Sequence, residues 1–293
     1  MNNSIVLGAD IGGSHITAAL VDLNNKSLLP ATRTRKPVNS HGSAHEIIKQ
    51  WAEVIRETFA FHPDGRGKIG IAMPGPFDYE EGISLIKDQD KYDSLYGKNI
   101  KNLLGAELSL APENFYLVND AGSFIQGEFF GGSIQGYENA IGITLGTGLG
   151  SAVLKNQVGN DANLWCMPFK NGIAEDYMST RWFKQRYQEL SGKEVKNVKE
   201  LFERYNSDNL ARVVFDEFGN NLSSFLYKFL ESEVAEVIIL GGNISNASEL
   251  FLPVVIEELN RRGITLPIKI ASLGEDAAII GAAGGWFEKS LCC

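Results

Sequence analysis

The sequence predicts an α/β protein of two lobes built on a duplicated core. Three observations lead there. The chain of 293 residues exceeds one ordinary domain and suits two packed lobes of similar size. Apolar, β-branched runs alternate with helical segments along most of its length. One glycine hairpin also occurs twice: IVLGADIGGSHITAAL from Ile5 overlies NAIGITLGTGLGSAVL from Asn139 at a constant offset close to half the chain. Gly8 then meets Gly142, Asp10 meets Thr144, Gly12 meets Gly146, Thr17 meets Ser151, Ala18 meets Ala152 and Leu20 meets Leu154. Each lobe is therefore expected to open with a β-hairpin.

The elements follow in order. IVLGAD reads as a buried strand, IGGSH as a turn and ITAALVD as the return strand. Ser43-Ala44-His45-Glu46 is a capping box, after which Ile47, Ile48, Trp51, Val54, Ile55 and Phe59 fall on one helical face. KIGIAMPG is a strand closed by Pro74 and Gly75, and the stretch from Asp78 to Ala111 reads as polar and irregular. FYLVND is a strand leading into a helix from about Ala121 to Phe130. The second hairpin comes next, then helices near Glu175–Leu190 and Asn209–Glu231, the strand EVIILGG, a helix over about Ser248–Arg261 and the strand IKIAS. A last helix begins near Glu275, and its small residues Ala277, Ala278, Gly281 and Ala282 allow close packing.

Composition narrows the function. Lys plus Arg number 27 against 36 Asp plus Glu, a formal charge of −9, which disfavours nucleic acid and anionic membranes as partners. The three cysteines, Cys166 and the terminal Cys292 and Cys293, form neither a disulfide framework nor a zinc site. The terminal pair reads as an exposed tail. MNNSIVLGAD has no basic segment ahead of an apolar one, so no signal peptide is read and the cytoplasm is the expected compartment.

Four motifs carry chemistry. In Gly8-Ala9-Asp10-Ile11-Gly12-Gly13-Ser14 the glycines let backbone N–H groups turn toward an anion, and Asp10 adds a carboxylate for a hydrated Mg²⁺ on nucleotide phosphates. It is no Walker A loop, and no dinucleotide fingerprint either, because a strand follows rather than a helix. Taken alone it reads first as a tight hairpin turn. Gly146-Thr147-Gly148-Leu149-Gly150-Ser151 is a second such loop, and two at matching places suit a polyphosphate gripped from both sides. Asn119-Asp120 lies between a strand and a helix. Asp120 there suits a general base in phosphoryl transfer, or a helix N-cap, or both. Gly241-Gly242-Asn243 follows a buried strand and suits either a flat ligand such as adenine or a plain strand-to-helix turn.

The order DIGG, PG, ND, GTGLG, ILGG and a small-residue C-terminal helix resembles the ROK family of bacterial sugar kinases across nearly the whole chain. The resemblance implies the two-lobed, duplicated actin-like (ribonuclease H-like) ATPase fold. The first lobe would span 1–121, joined by the C-terminal helix 275–293, and the second 122–274. DIGGSHITAALVD resembles the first phosphate motif, which assigns Asp10, Gly12, Gly13, Ser14 and Thr17 to ATP and Asp10, through water, to Mg²⁺. GITLGTGLGSAVL resembles the second and assigns Gly146, Thr147 and Gly148; VIILGGNIS resembles the adenosine motif and assigns Gly241, Gly242 and Asn243. LVNDAGSFIQGE places the catalytic base on Asp120, with Asn119 beside it on the sugar.

GIAMPGPFD resembles the sugar-side segment, hence Gly75, and Asn99 is placed with it from its position after Gly97. Two departures bear on the sugar. Many members carry a cysteine-rich zinc motif, whereas Trp165 to Glu175 contains Cys166 alone, so no zinc site is expected. The Glu-x-Gly-His sugar motif is reduced to Asn163-Leu164-Trp165, although Glu175 still matches the second sugar-binding glutamate. The expected activity is ATP-dependent phosphorylation of a hexose at the 6-hydroxyl, glucokinase-like, by a homodimer. A catalytically silent sugar-sensing protein of this fold is the alternative. An actin-fold ATPase acting through an iron–sulfur cluster would need clustered cysteines that this chain lacks.

Overall fold

The computed structural model describes residues 4–62 and 67–291, with side chains described to residue 287. The terminal pair Cys292 and Cys293 lies outside the described residues. The chain divides into two compact units. One runs up to Gln135 and is rejoined by the residues from Glu275 onward, and the other spans Gly136–Gly274. The division falls after the helix that was expected to open the second lobe, because that helix packs on the C-terminal helix rather than on the following hairpin.

The first unit is built on β1 (Ile5–Ile11), β2 (His15–Asp22), β3 (Ser27–Leu28), β4 (Thr34–Pro37), α1 (Ala44–Phe59), β5 (Ile69–Met73), β6 (Phe77–Asp78), β7 (Ile83–Ser84), α2 (Ile100–Leu108), β8 (Phe115–Asn119) and α3 (Asp120–Phe130). Its main sheet has the order β3-β2-β1-β5-β8, with β4 also paired to β2. β1 and β2 run antiparallel, and β1, β5 and β8 run parallel. Period-two alternation sorts β1: Leu7, Ala9 and Ile11 enter one core with Ile47, Trp51, Val54 and Ile55 of α1, while Gly8 and Asp10 face the other way. The capping box of α1 forms as expected, Ser43 Oγ accepting from Glu46 N and Glu46 Oε2 from Ser43 N at 2.8 Å.

Against the opposite face of β1 and β5 lies the C-terminal helix, Asp276–Leu291, and the approach is backbone to backbone. A Cβ on Gly8 would sit 2.2 Å from Ile279 O, and one on Gly70 2.0 Å from Ala282 O. The same helix meets α3 as closely: a Cβ on Gly127 would sit 2.0 Å from Ala277 O, and one on Gly281 1.9 Å from Ser123 O. Ser123 Oγ donates to Ala278 O at 2.7 Å across this contact.

The segment from Asp78 to Ala111 differs from the irregular stretch expected. It contains β6, β7 and α2, whose N-cap is Asn99 and whose Ile100 and Leu104 are fully buried. With only nine residues, α2 offers too short a period for the pattern to show.

The second unit contains β9 (Ala140–Leu145), β10 (Leu149–Lys155), β11 (Val158–Asp161), β12 (Pro168–Phe169), β13 (Gly172–Ile173), α4 (Ala174–Tyr177), α5 (Thr180–Ser191), α6 (Val198–Arg204), α7 (Asn209–Ser232), β14 (Val237–Gly241), α8 (Ser248–Arg261) and β15 (Ile268–Ile270). Its sheet order, β11-β10-β9-β14-β15, repeats that of the first unit, hairpin then parallel strands. The hairpins differ by one residue in register. Gly8 faces Ala19, whereas its counterpart Gly142 faces Ala152. The reason is the turn: Gly12 N donates to His15 O in the first, and Gly146 N to Gly148 O in the second, which is one residue tighter. Among the described residues no helix is long and apolar enough to cross a membrane.

Replacing Gly281 with Val should lower stability by about 3 kcal/mol, since a side chain there must push α3 off the C-terminal helix. Chemical denaturation measures it, and a change within about 0.5 kcal/mol would show that the two helices can part freely.

Candidate functional site

In the first unit the expected residues gather where β1, α3 and the C-terminal helix begin or end. Asp10 is on the face of β1 opposite α1, the side of the sheet on which the C-terminal helix packs, and it is half-buried. Beside it in register lie Thr17 of β2, buried, and beyond that Arg35 of β4. Arg35 Nη1 meets Glu275 Oε2 at 2.9 Å, and Arg33 spans Glu275 at 3.0 Å and Asp276 at 3.2 Å, which ties β4 to the start of the C-terminal helix.

Burial, together with the charges of Asp120 and Glu275, pushes the Asp10 carboxyl up to about 6, against a smaller opposing effect of Arg35. Among the described residues no group donates a hydrogen bond to that carboxylate. An acid held this way, facing other acids, fits a divalent cation reached through water. No group of three or more His, Cys, Asp or Glu side chains among the described residues is arranged as a metal cage, and Cys166 is exposed.

Asp120 is the first residue of α3; its surface is open to solvent, yet the protein atoms crowded around it still desolvate the carboxylate. The cap is Asn119, whose Oδ1 accepts from Ala121 N at 2.8 Å and Gly122 N at 3.1 Å, so capping does not account for Asp120. Oδ1 of Asp120 accepts from Ala121 N at 2.9 Å, and no described side chain hydrogen-bonds the carboxylate. Desolvation holds its pKa above the ordinary aspartate value, offset in part by the Ala121 N–H and by the charge of Lys91. Asn119 Nδ2 donates to Tyr79 Oη at 3.2 Å, and that hydroxyl donates to Met73 O at 3.0 Å. A Cβ on Gly75 would lie 3.3 Å from the same oxygen, so Gly75, Tyr79 and Asn119 form one cluster.

The hairpin turn Gly12-Gly13-Ser14 opens to solvent, Gly13 and Ser14 being exposed. Tyr92, fully buried, donates its hydroxyl to Gly12 O at 2.5 Å. Asn99 is occupied otherwise: Oδ1 accepts from Asn102 N at 2.9 Å as the cap of α2 and Nδ2 donates to Glu81 O at 2.8 Å.

In the second unit the loop Gly146–Gly148 is fixed from below. Thr180 N and Oγ1 both donate to Gly146 O, at 2.8 and 2.9 Å, and Glu175 Oε2 accepts from Leu149 N at 3.1 Å. Thr147 is exposed at the rim of a cavity of about 850 Å³ that Thr180, Arg181, Lys184 and Lys196 also line. Arg181 and Lys184 of α5 and Lys196 of the following loop carry no signal in the sequence, because single surface cations have no local signature. Gly241 ends β14 opposite Thr144. Gly242 requires glycine, with φ 82° and a Cβ that would lie 2.3 Å from Leu145 O. Asn243 follows it, exposed. Asn163, at φ 52°, accepts from Trp165 Nε1 at 3.0 Å, and Trp165 O accepts from Glu175 N at 3.0 Å, so Asn163 and Glu175 are joined through Trp165.

Comparison with known proteins gives one consistent result. The sequence pattern of the ROK family matches residues 6–161 and 157–289. The chain is 27% identical over 315 residues to the glucokinase of Thermotoga maritima, covering 95% of this chain and 96% of that one. It is 27% identical over 318 residues to the N-acetyl-D-glucosamine kinase of Mannheimia succiniciproducens, covering 97% and 100%. The structure superposes on the ROK family glucokinase of Streptomyces griseus, solved in complex with glucose and AMPPNP, with a TM-score of 0.74 at 22% identity over 95% of this chain and 98% of that one. The shared fold is the duplicated, two-lobed actin-like ATPase fold.

Because folding raises the Asp10 pKa, the acid disfavours the fold once ionised. That penalty is absent below the unfolded value of 3.8 and complete above about 6. Asp10→Asn should therefore raise stability at pH 8, by at most about 3 kcal/mol, and the gain should vanish below pH ~4. Thermal melts across pH without added metal measure this; a gain that persists at acid pH would show another cause.

Proposed function

As the chain belongs to the ROK family, we propose that it is an ATP-dependent sugar kinase that phosphorylates a hexose at the 6-hydroxyl. The observation that carries this reading is Asp120: a carboxylate at the start of α3, relieved of capping by Asn119 and unpaired by any described side chain. The sugar hydroxyl oxygen attacks the γ-phosphorus while its proton passes to Asp120. The bond from the γ-phosphorus to the bridging oxygen breaks, and ADP leaves with that electron pair. A carboxyl held above the ordinary aspartate value is a stronger base than a free one.

Gly12, Gly13 and Ser14 present backbone toward phosphate in the first unit, and Gly146, Thr147 and Gly148 do so in the second. Lys184 and Lys196 line the cavity at Thr147 together with Glu194 and Glu200, and Gly241, Gly242 and Asn243 are the adenosine side. Mg²⁺, when bound, would offset phosphate charge, and Asp10 would hold it through water. Asn119, Gly75, Asn163 and Glu175 are the proposed sugar contacts. Relatives named as glucokinase and N-acetyl-D-glucosamine kinase support a glucose-type pyranose, with or without a 2-acetamido group.

A panel of hexoses and N-acetylated amino sugars with ATP and Mg²⁺ tests the activity by ADP release. Asp120→Asn should melt no lower than the parent, and higher above neutral pH because folding raises the acid's pKa, and should keep its sugar and ATP affinities while turnover falls at least 10²-fold, the usual size of general-base catalysis. Turnover within a few-fold of the parent would remove Asp120 from the mechanism.

Gly146→Val tests the phosphate loop. Nothing in the protein lies within 4 Å of a Cβ at that position, and its φ is not positive, so the fold should tolerate the side chain. Only a ligand brought against the backbone would meet it. Calorimetry should show ATP affinity reduced at least 10-fold with sugar affinity unchanged; equal ATP affinity would move the phosphates elsewhere.

A further inference from the structure

The segment leading to Tyr92 is held in an unusual backbone. Asp88, Asp90 and Tyr92, alternate residues and none of them glycine, have φ of 57°, 57° and 58°. Side-chain residues seldom adopt the left-handed region, and such strain persists only where the surroundings fix it. Here they do. Tyr92 N donates to Ser40 O at 2.8 Å, its ring packs edge-on against Trp51 with centroids 5.3 Å apart, and its hydroxyl bonds the carbonyl of Gly12. Burial pushes the phenol upward in pKa, so it stays a donor to that carbonyl. The segment is thereby pinned to the glycine hairpin.

The residue this arrangement displays is Lys91. Its aliphatic stem runs along Gly13, where an added Cβ would lie 3.5 Å from Lys91 Cδ. Its ammonium has neither an ion pair nor a hydrogen bond among the described residues, whereas Arg33, Arg35 and Glu275 are tied up with one another. It is half-buried. A lysine placed over an anion-binding hairpin, with no partner of its own, is arranged for a ligand.

We infer that Lys91 is a catalytic residue whose ammonium contacts the γ-phosphoryl group at the first glycine hairpin and stabilises the charge on it during transfer. This rests on the kinase reading for its substrate. A fixed cation at the transferring group acts where charge is concentrated, and it needs no reorganisation as the reaction proceeds. Its proximity also helps keep Asp120 ionised. The polar run Lys87 to Lys91 hides this role in the sequence, where it reads as a solvated loop.

The test compares nucleotides that differ in the γ-phosphate. By calorimetry with Mg²⁺ present, Lys91→Met should weaken AMPPNP about 10-fold or more while ADP affinity stays unchanged, and kcat should fall at least 10²-fold. Lys91→Arg, which keeps the charge, should recover most of the AMPPNP affinity; it also serves as the folded reference if the Met variant is unstable. Equal losses for ADP and AMPPNP, a loss confined to the sugar, or no loss at all would each overturn the inference. Nucleotide affinities need no turnover. Failure of every hexose to react would therefore refute the kinase reading, while the AMPPNP difference still decides on Lys91.

Discussion

The contact on which the rest of the first unit depends is the backbone-to-backbone packing of the C-terminal helix. Gly8, Gly70, Gly127 and Gly281 remove the side chains that would hold it away from β1, β5 and α3. Each substitutes main-chain proximity for side-chain interlocking, and such a contact allows little sliding, because carbonyl oxygens rather than flexible methyl groups set the spacing. The consequence reaches the chemistry. Asp10 is two residues beyond Gly8 on the same face of β1, and Asp120 begins the helix that carries Gly127. Holding β1 and α3 against one common helix fixes the two carboxylates with respect to each other, though they are far apart in sequence. The first residues of that helix close the arrangement by pairing Glu275 and Asp276 with Arg33 and Arg35.

That rigidity explains how an unfavourable charge pattern is kept. Asp10 faces Asp120 and Glu275 and has no donor of its own, so a looser scaffold would relieve it by moving or by protonation. Arg35 reduces the strain only in part, since it is shared with Glu275. A protein optimised for stability alone would place an amide or a second cation here. The acid is intelligible if a cationic ligand completes the site, and Lys91, poised over the same hairpin without a partner, has the complementary need for an anion. The two unsatisfied charges, of opposite sign and on one unit, are what a magnesium-bearing polyphosphate would satisfy together.

Much of this was legible in the sequence, for reasons that are local. The two hairpins are repeats of pattern, and pattern survives as strand, glycine turn and strand. Ser43 and Glu46 form a capping box whose geometry depends on four consecutive residues. Asp120 follows an apolar strand and opens a helix, a boundary written in adjacent residues. What stayed hidden depends on distant partners. That Asn119 and not Asp120 caps α3 is decided by one turn of φ and ψ. That Asn99 caps α2 was not visible, because a helix of nine residues is too short to declare itself. The overlay of Thr17 on Ser151 fails by one residue because the second turn is tighter, a difference that strand composition does not record. Lys91, Thr180 and Tyr79 acquire meaning only from the glycine hairpins and the asparagine they approach in the fold.

The duplication also shows how one design was put to two uses. Both units keep the same strand order and open with the same hairpin. In the first, the strand position before the turn carries Asp10 and the turn is held by Tyr92 from a strained segment. In the second, the matching position is Thr144, and the turn is held by Thr180 at the start of α5 and by Glu175. The first hairpin thus carries its acid in the strand before the turn with Lys91 beside the turn, whereas in the second the acid, Glu175, is part of the hydrogen-bonded base that holds the turn. A loop braced in that way suits a group that stays bound throughout a reaction. At Gly146 the protein itself leaves space for a side chain, whereas at Gly242 Leu145 leaves none.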